Sequence, residues 1–194
     1  MDHFFYLRGK LFYQAIEKVV QTSRDLVMGK WVDMNSSRLM KLDPNKKVRK
    51  VRQKFLMKAG RMTVYRCFLE NFEVLLPEAL QITRKVTPGP VRIGTRYTAI
   101  PNFLTRPMVG VEITSMDEGK ELVYGYLEPS PFSGSNSMVF KDSSLGTDIE
   151  VTLRYQLRGI ASWIGWYLLG GKGFHKRLVI EGVRGLTTLL EGRN

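Results

Sequence analysis

The apolar side chains repeat with different periods along the chain, and the changes of period mark out its elements. Over residues 4–33, Phe4, Leu7, Leu11, Phe12, Ala15, Ile16, Val19, Val20, Leu26, Val27 and Trp31 recur at threes and fours. That spacing predicts one long amphipathic helix or two shorter ones, with Gly9 and Gly29 weakening the ends. Beyond a polar linker the period falls to two: Val51, Phe55 and Met57 alternate with Lys50, Arg52, Lys54 and Lys58. This predicts a strand with one apolar and one basic face. Residues 60–70 then read as a short helix with Val64, Cys67 and Phe68 inward. Residues 72–79 read as a second, capped by Asn71 and shortened by Pro77. Period two returns in candidate strands at 80–86, 93–97, 109–113, 121–126, 137–140 and 147–157. The last has the clearest pattern: Ile149, Val151, Leu153, Tyr155 and Leu157 alternate with Asp148, Glu150, Thr152, Arg154 and Gln156. Such alternation fits an antiparallel sheet with one wet face. Helical spacing closes the chain through Phe174, Leu178, Val179, Val183, Leu186, Leu189 and Leu190. A long final helix over one sheet is an α+β arrangement.

Composition adds bounds. At 194 residues with 43% apolar content, the chain suits one domain with an extension, divided here as 1–47 and 48–194. The longest uncharged apolar run, within 159–171, is too short to span a bilayer and is broken by glycines. The single cysteine, Cys67, excludes an intrachain disulfide or a cysteine-based zinc site and points to a reducing compartment.

Charge is more informative than composition. Residues 41–61 carry nine Lys/Arg and one Asp/Glu, which is +8 of the chain's +12. A local block of this kind suggests a docking surface rather than general nucleic-acid affinity. Its candidate residues are Lys46, Lys47, Arg49, Lys50, Arg52, Lys54 and Lys58. RNA phosphates, acidic lipid head groups, an acidic protein and plain solvent are all compatible partners for such a face. No aromatic residues interleave with the lysines as a single-strand stacking platform requires, so sequence-specific nucleic-acid recognition is not expected. The apolar face of residues 4–33 must be covered too, by its own domain, another subunit or a membrane surface. The first fifteen residues, basic and aromatic with Asp2 as the only acid, resemble an organellar targeting peptide, which suggests a mitochondrial or other organellar setting.

Candidate chemistry is sparse. His3 and His175 have no ligand-type neighbours at metal spacing, so neither a metal nor a cofactor is expected, and no catalytic residue is assigned. The Gly-Lys-Gly run at 171–173 could offer N–H groups to an anion but lacks the phosphate-loop pattern. Glu112 alternates with Val111 and Ile113, which puts it on the wet face. Tyr97, Tyr126, Tyr155, Trp163, Trp166 and Leu178 are candidate walls of an apolar cavity, where phenols could orient a polar group. A filled core would use the same residues. Trp163, Trp166 and Tyr167 also suit a bilayer interface.

A family resemblance extends over about residues 48–192. It is carried by Glu-Asn-Phe at 70–72 through Leu-Pro-Glu at 76–78, Thr-Pro-Gly-Pro-Val at 87–91, Gly-Thr-Arg-Tyr at 94–97 and Gly-Thr-Asp-Ile-Glu-Val-Thr-Leu at 146–153. These residues and the element order resemble the START-like superfamily of polyketide cyclases, birch-pollen allergens and lipid-transfer domains. The resemblance implies a helix-grip fold, a curved antiparallel sheet of about seven strands around a long C-terminal helix. It also implies binding or carriage of a hydrophobic molecule such as a lipid, quinone, pigment or polyketide, without implying catalysis. Two other readings stay open: an accessory subunit of a large, organellar assembly docked through residues 1–47, and a polyketide-cyclase-like enzyme.

Overall fold

The computed structural model describes residues 37–72, 80–101, 109–168 and 171–192. The helical pattern at 4–33 and all but the first residue of the helix expected at 72–79 lie outside them. One sheet holds seven strands: β1 (Arg49–Met57), β2 (Leu80–Lys85), β3 (Arg96–Pro101), β4 (Val109–Asp117), β5 (Glu121–Leu127), β6 (Phe132–Ser143) and β7 (Gly146–Leu157). Their spatial order is β1-β7-β6-β5-β4-β3-β2 and every pairing is antiparallel. Among the described residues three helices accompany the sheet: α1 (Arg61–Glu70), α2 (Gly159–Leu168) and α3 (Lys172–Glu191). The fold is therefore the expected α+β sheet with a long C-terminal helix.

Alternation decides which side is inner. In β7, Ile149, Val151, Leu153, Tyr155 and Leu157 are buried, facing Val183, Leu186 and Leu190 of α3 in one continuous core. On the outer face, Arg52 of β1 forks onto Glu150 of β7, at 2.6 and 2.5 Å. α1 buries Val64, Tyr65, Cys67 and Phe68, as its spacing predicts.

Three elements differ from expectation. The strand expected from Ile93 begins at Arg96. Gly94 takes a positive φ of 86°, Ile93 points to solvent, and Thr95 closes the turn by accepting the Arg92 N–H at 2.9 Å. The short strand expected at 137–140 is a twelve-residue β6, whose start is hidden by the loop-like Ser-Gly-Ser-Asn run at 133–136. The run too short to span a bilayer forms α2, a separate helix ahead of α3.

The boundary expected at residue 47 is crossed by hydrogen bonds. Residues 38–40 wedge between the end of β5 and the start of β6: Met40 N–H donates to Tyr126 C=O, Gly134 N–H to Met40 C=O and Glu128 N–H to Arg38 C=O. Gln156, on the outer face of β7, accepts the Asp43 N–H through Oε1 and donates through Nε2 to the Asp43 and Lys46 carbonyls. This strap, residues 38–42, lies close over two glycines. A Cβ on Gly125 would sit 2.9 Å from Leu39 Cδ2, and one on Gly134 would sit 2.9 Å from Leu42 Cδ2 and 2.1 Å from the Arg154 carbonyl oxygen of β7.

Candidate functional site

The inner face carries two aromatic groups. Beside α1, Phe72 packs on Phe68, Tyr97 and Tyr124, with centroids 5.5, 4.4 and 5.7 Å away, and Tyr65 meets Phe140 edge-on at 5.4 Å. The second group lies under the N-terminal end of α3. There Phe132 contacts Tyr126, Tyr155 and His175 at 5.6, 5.8 and 5.2 Å, and His175 lies 4.5 Å from Tyr155.

Polar atoms are concentrated in this second group. Strand parity puts Tyr126 of β5 and Asn136 of β6 on the inner face, where Asn136 Nδ2 donates to the Tyr126 hydroxyl at 3.2 Å. Asn136 Oδ1 is buried and accepts no hydrogen bond among the described residues. Leaving such an acceptor unmade costs about 1–3 kcal/mol of desolvation, so a buried orphan calls for a ligand or a water. Trp166 Nε1 donates to the Tyr155 hydroxyl at 3.1 Å. Burial raises the Tyr126 phenol to about 12, against the opposing pull of the Asn136 hydrogen bond. Burial likewise raises Tyr124, helped by neighbouring Tyr126 and opposed by a hydrogen bond with the Asn136 side chain, and it raises Tyr155 against the Trp166 hydrogen bond. Burial lowers the His175 imidazole to about 4, against a hydrogen bond with the Gly171 backbone that works upward. At neutral pH these groups are therefore uncharged hydrogen-bonding groups among rings. That suits a largely apolar molecule with a polar end.

Of the six cavity candidates, Tyr126, Tyr155 and Trp166 come together here. Tyr97 is buried in the other group, against Phe72. Leu178 is half-buried on α3, and Trp163 lies on the outside of α2, 41% exposed. Asn136 and His175 belong to this group although the sequence reading does not include them, and Tyr124, which packs on Phe72, borders it through a hydrogen bond with the Asn136 side chain. Asn136 is hidden by its loop-like neighbours, and His175 is weighed in that reading only for metal binding, which its neighbours do not support. Tyr124 shares a face with Tyr126 by simple alternation, a signal present in the sequence.

Among the basic candidates, Lys46, Lys47, Lys50, Arg52, Lys54 and Lys58 are exposed as expected. Arg49 is not part of that surface. Strand parity turns it inward, it is 8% exposed, and its guanidinium lies 4.5 Å from the Trp163 ring and 4.7 Å from the Trp166 ring. The others follow an edge strand, because β1 ends the sheet. Lysines on an edge discourage pairing with another chain's strand, which gives the block a structural purpose of its own. Glu150 offsets part of its charge, pairing with Arg52 at 2.5 Å and Lys54 at 4.0 Å. The Gly171 N–H, a possible anion donor, is taken by the Trp166 carbonyl at 2.8 Å. Glu112 lies on the outer face, where it accepts from Arg96 at 2.6 Å. Among the described residues no group of His, Cys, Asp and Glu is placed to hold a metal.

No protein-family model matches the chain. No curated protein matches it in sequence either. Its backbone, however, superposes on solved structures of low identity. A protein of Thermus thermophilus is 19% identical, with a TM-score of 0.58, 75% of this chain covered and 99% of that one. StfQ, the di-domain ARO/CYC of the steffimycin biosynthetic pathway, is 10% identical with a TM-score of 0.58. The match covers 75% of this chain and 51% of that one. Ara h 8.0201 is 16% identical with a TM-score of 0.53, covering 76% of this chain and 97% of that one. The fold is START-like. At these identities the START-like comparison establishes architecture, and chemistry must come from the residues themselves.

Proposed function

We propose that this START-like domain binds, and carries without chemical change, a mostly apolar molecule whose polar end lies between β5, β6 and the start of α3. The observation that carries this reading is Asn136. Its Oδ1 is a buried acceptor with no hydrogen bond among the described residues, on an amide already committed through Nδ2 to Tyr126. A ligand hydroxyl or N–H would satisfy it, while Phe132 and the tyrosine rings take the apolar body. StfQ supports the reading only as a relative in fold.

Organic extraction of the purified protein followed by mass spectrometry tests the proposal. A stoichiometric apolar compound is expected from the wild type and a depleted one from Asn136→Leu. A wild-type protein that yields none, and that does not enhance the fluorescence of added 8-anilinonaphthalene-1-sulfonate, would overturn it.

A catalytic reading, cyclase-like chemistry, draws on His175, which stays neutral down to about pH 4 and packs at a tilt against Tyr155. A neutral imidazole can accept a proton. The test is turnover of a linear poly-β-ketone by purified protein, abolished in His175→Ala. Turnover unchanged in that variant would remove His175 from any such chemistry.

A further inference from the structure

α2 has an apolar face with no cover among the described residues. Ile160, Trp163 and Tyr167, spaced by three and four, lie on one side of it and are 80%, 41% and 64% exposed. Other exposed large hydrophobics, such as Ile93 and Leu145, are scattered singly on turns, which is ordinary for a protein surface. Three on one helical face are not. α2 contains no charged residue and is ten residues long, about 15 Å, so it cannot cross a bilayer but can lie along one.

The flanks indicate what covers it. From 151 to 180 the chain carries five basic residues, Arg154, Arg158, Lys172, Lys176 and Arg177, and no acidic one. Arg158 immediately precedes α2, and Lys176 and Arg177 are exposed on the first turns of α3. Lys46 is held at the same end through its carbonyl, bonded to Gln156. Acids are present nearby: Glu128 lies 3.5 Å from Arg158 and Asp43 lies 3.5 Å from Lys46. Both pairs are solvent-exposed and therefore weak.

The rings are also held in place. Trp163 stacks on Tyr167 at 5.4 Å with 27° between planes. Arg49 lies beneath Trp163 and Trp166, and Trp166 is tied to Tyr155. Little side-chain freedom is left to lose on docking. Trp and Tyr are the rings that favour the head-group level.

We propose that α2 docks in the plane of an anionic lipid membrane, with Ile160 at the acyl boundary, Trp163 and Tyr167 among the head groups, and Arg158, Lys176 and Arg177 facing the lipid phosphates. The surface stands independently of what the concave face holds.

The test is co-sedimentation of the full chain with vesicles of phosphatidylcholine, with and without phosphatidylserine. The wild type is expected to bind the anionic vesicles and to lose binding as salt is raised. Ile160→Asp, at a position with little packing to lose, should weaken binding about tenfold or more. Lys176→Gln with Arg177→Gln should weaken it by about thirtyfold, on anionic vesicles only. Brominated phosphatidylcholine in the same vesicles should quench the tryptophan fluorescence. Folded wild type that stays in the supernatant, or Ile160→Asp that binds like wild type, would overturn the proposal. So would sedimentation without quenching, which would mean that the basic residues alone hold the vesicle. Recovery of a protein on this face in place of lipid would overturn it too.

Discussion

The two ends of the inner face share aromatic rings but differ in the polar groups set among them. Beside α1, Phe68, Phe72, Tyr97 and Phe140 meet ring to ring, and the orphaned polar atoms at this end, among the described residues, are the Tyr65 hydroxyl and Arg61 Nε. Under the start of α3, rings alternate with an amide, an imidazole, a bonded indole–phenol pair and an inward arginine. Burying polar groups is costly unless they are bonded. An end that exists only to fill space gains nothing from them, which is why the proposed site is placed at the α3 end. This contrast can be broken from either side.

The largest effect is expected in the core. Phe140 is 1% exposed and meets both Tyr65 and Phe68. Phe140→Ala should lower unfolding stability by about 3–5 kcal/mol in a denaturant titration, through lost transfer energy and the cavity left behind. A loss under about 1 kcal/mol would mean that this end is not close-packed.

Next is the pH dependence of the polar end. His175 titrates near 4 when folded, against 6.5 for the free side chain, with burial as the main cause. The unfolded chain therefore binds the proton more readily, and stability falls as pH drops from about 6.5 toward 4, then levels off. A shift of that size is worth up to about 3 kcal/mol. Denaturant midpoints across this window should show the slope in wild type and lose most of it in His175→Phe. An unchanged slope would place the titration elsewhere.

Much of this architecture is legible in the sequence, because strand parity and helical spacing follow from burial alone. β7 and α3 are the clearest cases: each has one face in the core and one in water, and period reveals that directly. The misreadings share a physical origin. Asn136 follows Ser133, Gly134 and Ser135, residues that normally mark loops; here they form a strand because they pair with β7 throughout and with β5 from Ser135 on, and only a glycine fits at 134 against the β7 backbone. Arg49 reads as part of the basic surface because charge normally points outward, yet parity with Val51 already turns it inward. The partners that justify an inward Arg49, Trp163 and Trp166, lie more than a hundred positions further on. Local pattern reports burial, whereas long-range pairing decides what a buried polar group meets.

Arg49 supplies a smaller effect. Replacing it with Met keeps much of the apolar stem and removes the charge between the two indoles. The expected loss is about 0.5–2 kcal/mol, and the near-ultraviolet dichroism of the tryptophans should change with it. If stability falls while the tryptophan signal is unaltered, Arg49 contributes through packing of its stem and not through the rings.

The smallest expected effect has the opposite sign and is the sharpest test of the contrast. Tyr65 is fully buried against Phe140, and its hydroxyl has no hydrogen-bond partner among the described residues. Burial raises this phenol above the ordinary tyrosine range, with the carboxylates of Glu118 and then Asp117 adding to the effect. Tyr65→Phe removes an unsatisfied polar atom and keeps the ring, so stability should be unchanged or rise by up to about 1 kcal/mol. Asn136→Leu provides the counterpart at the other end. It removes an orphan acceptor too, but one whose amide also donates to Tyr126. In ligand-free protein it should behave like Tyr65→Phe apart from that lost bond, whereas in protein carrying its apolar molecule it should destabilise. Thermal unfolding of each variant before and after organic extraction separates the two positions. Extraction that shifts Tyr65→Phe and Asn136→Leu equally would mean that the α3 end is core as well.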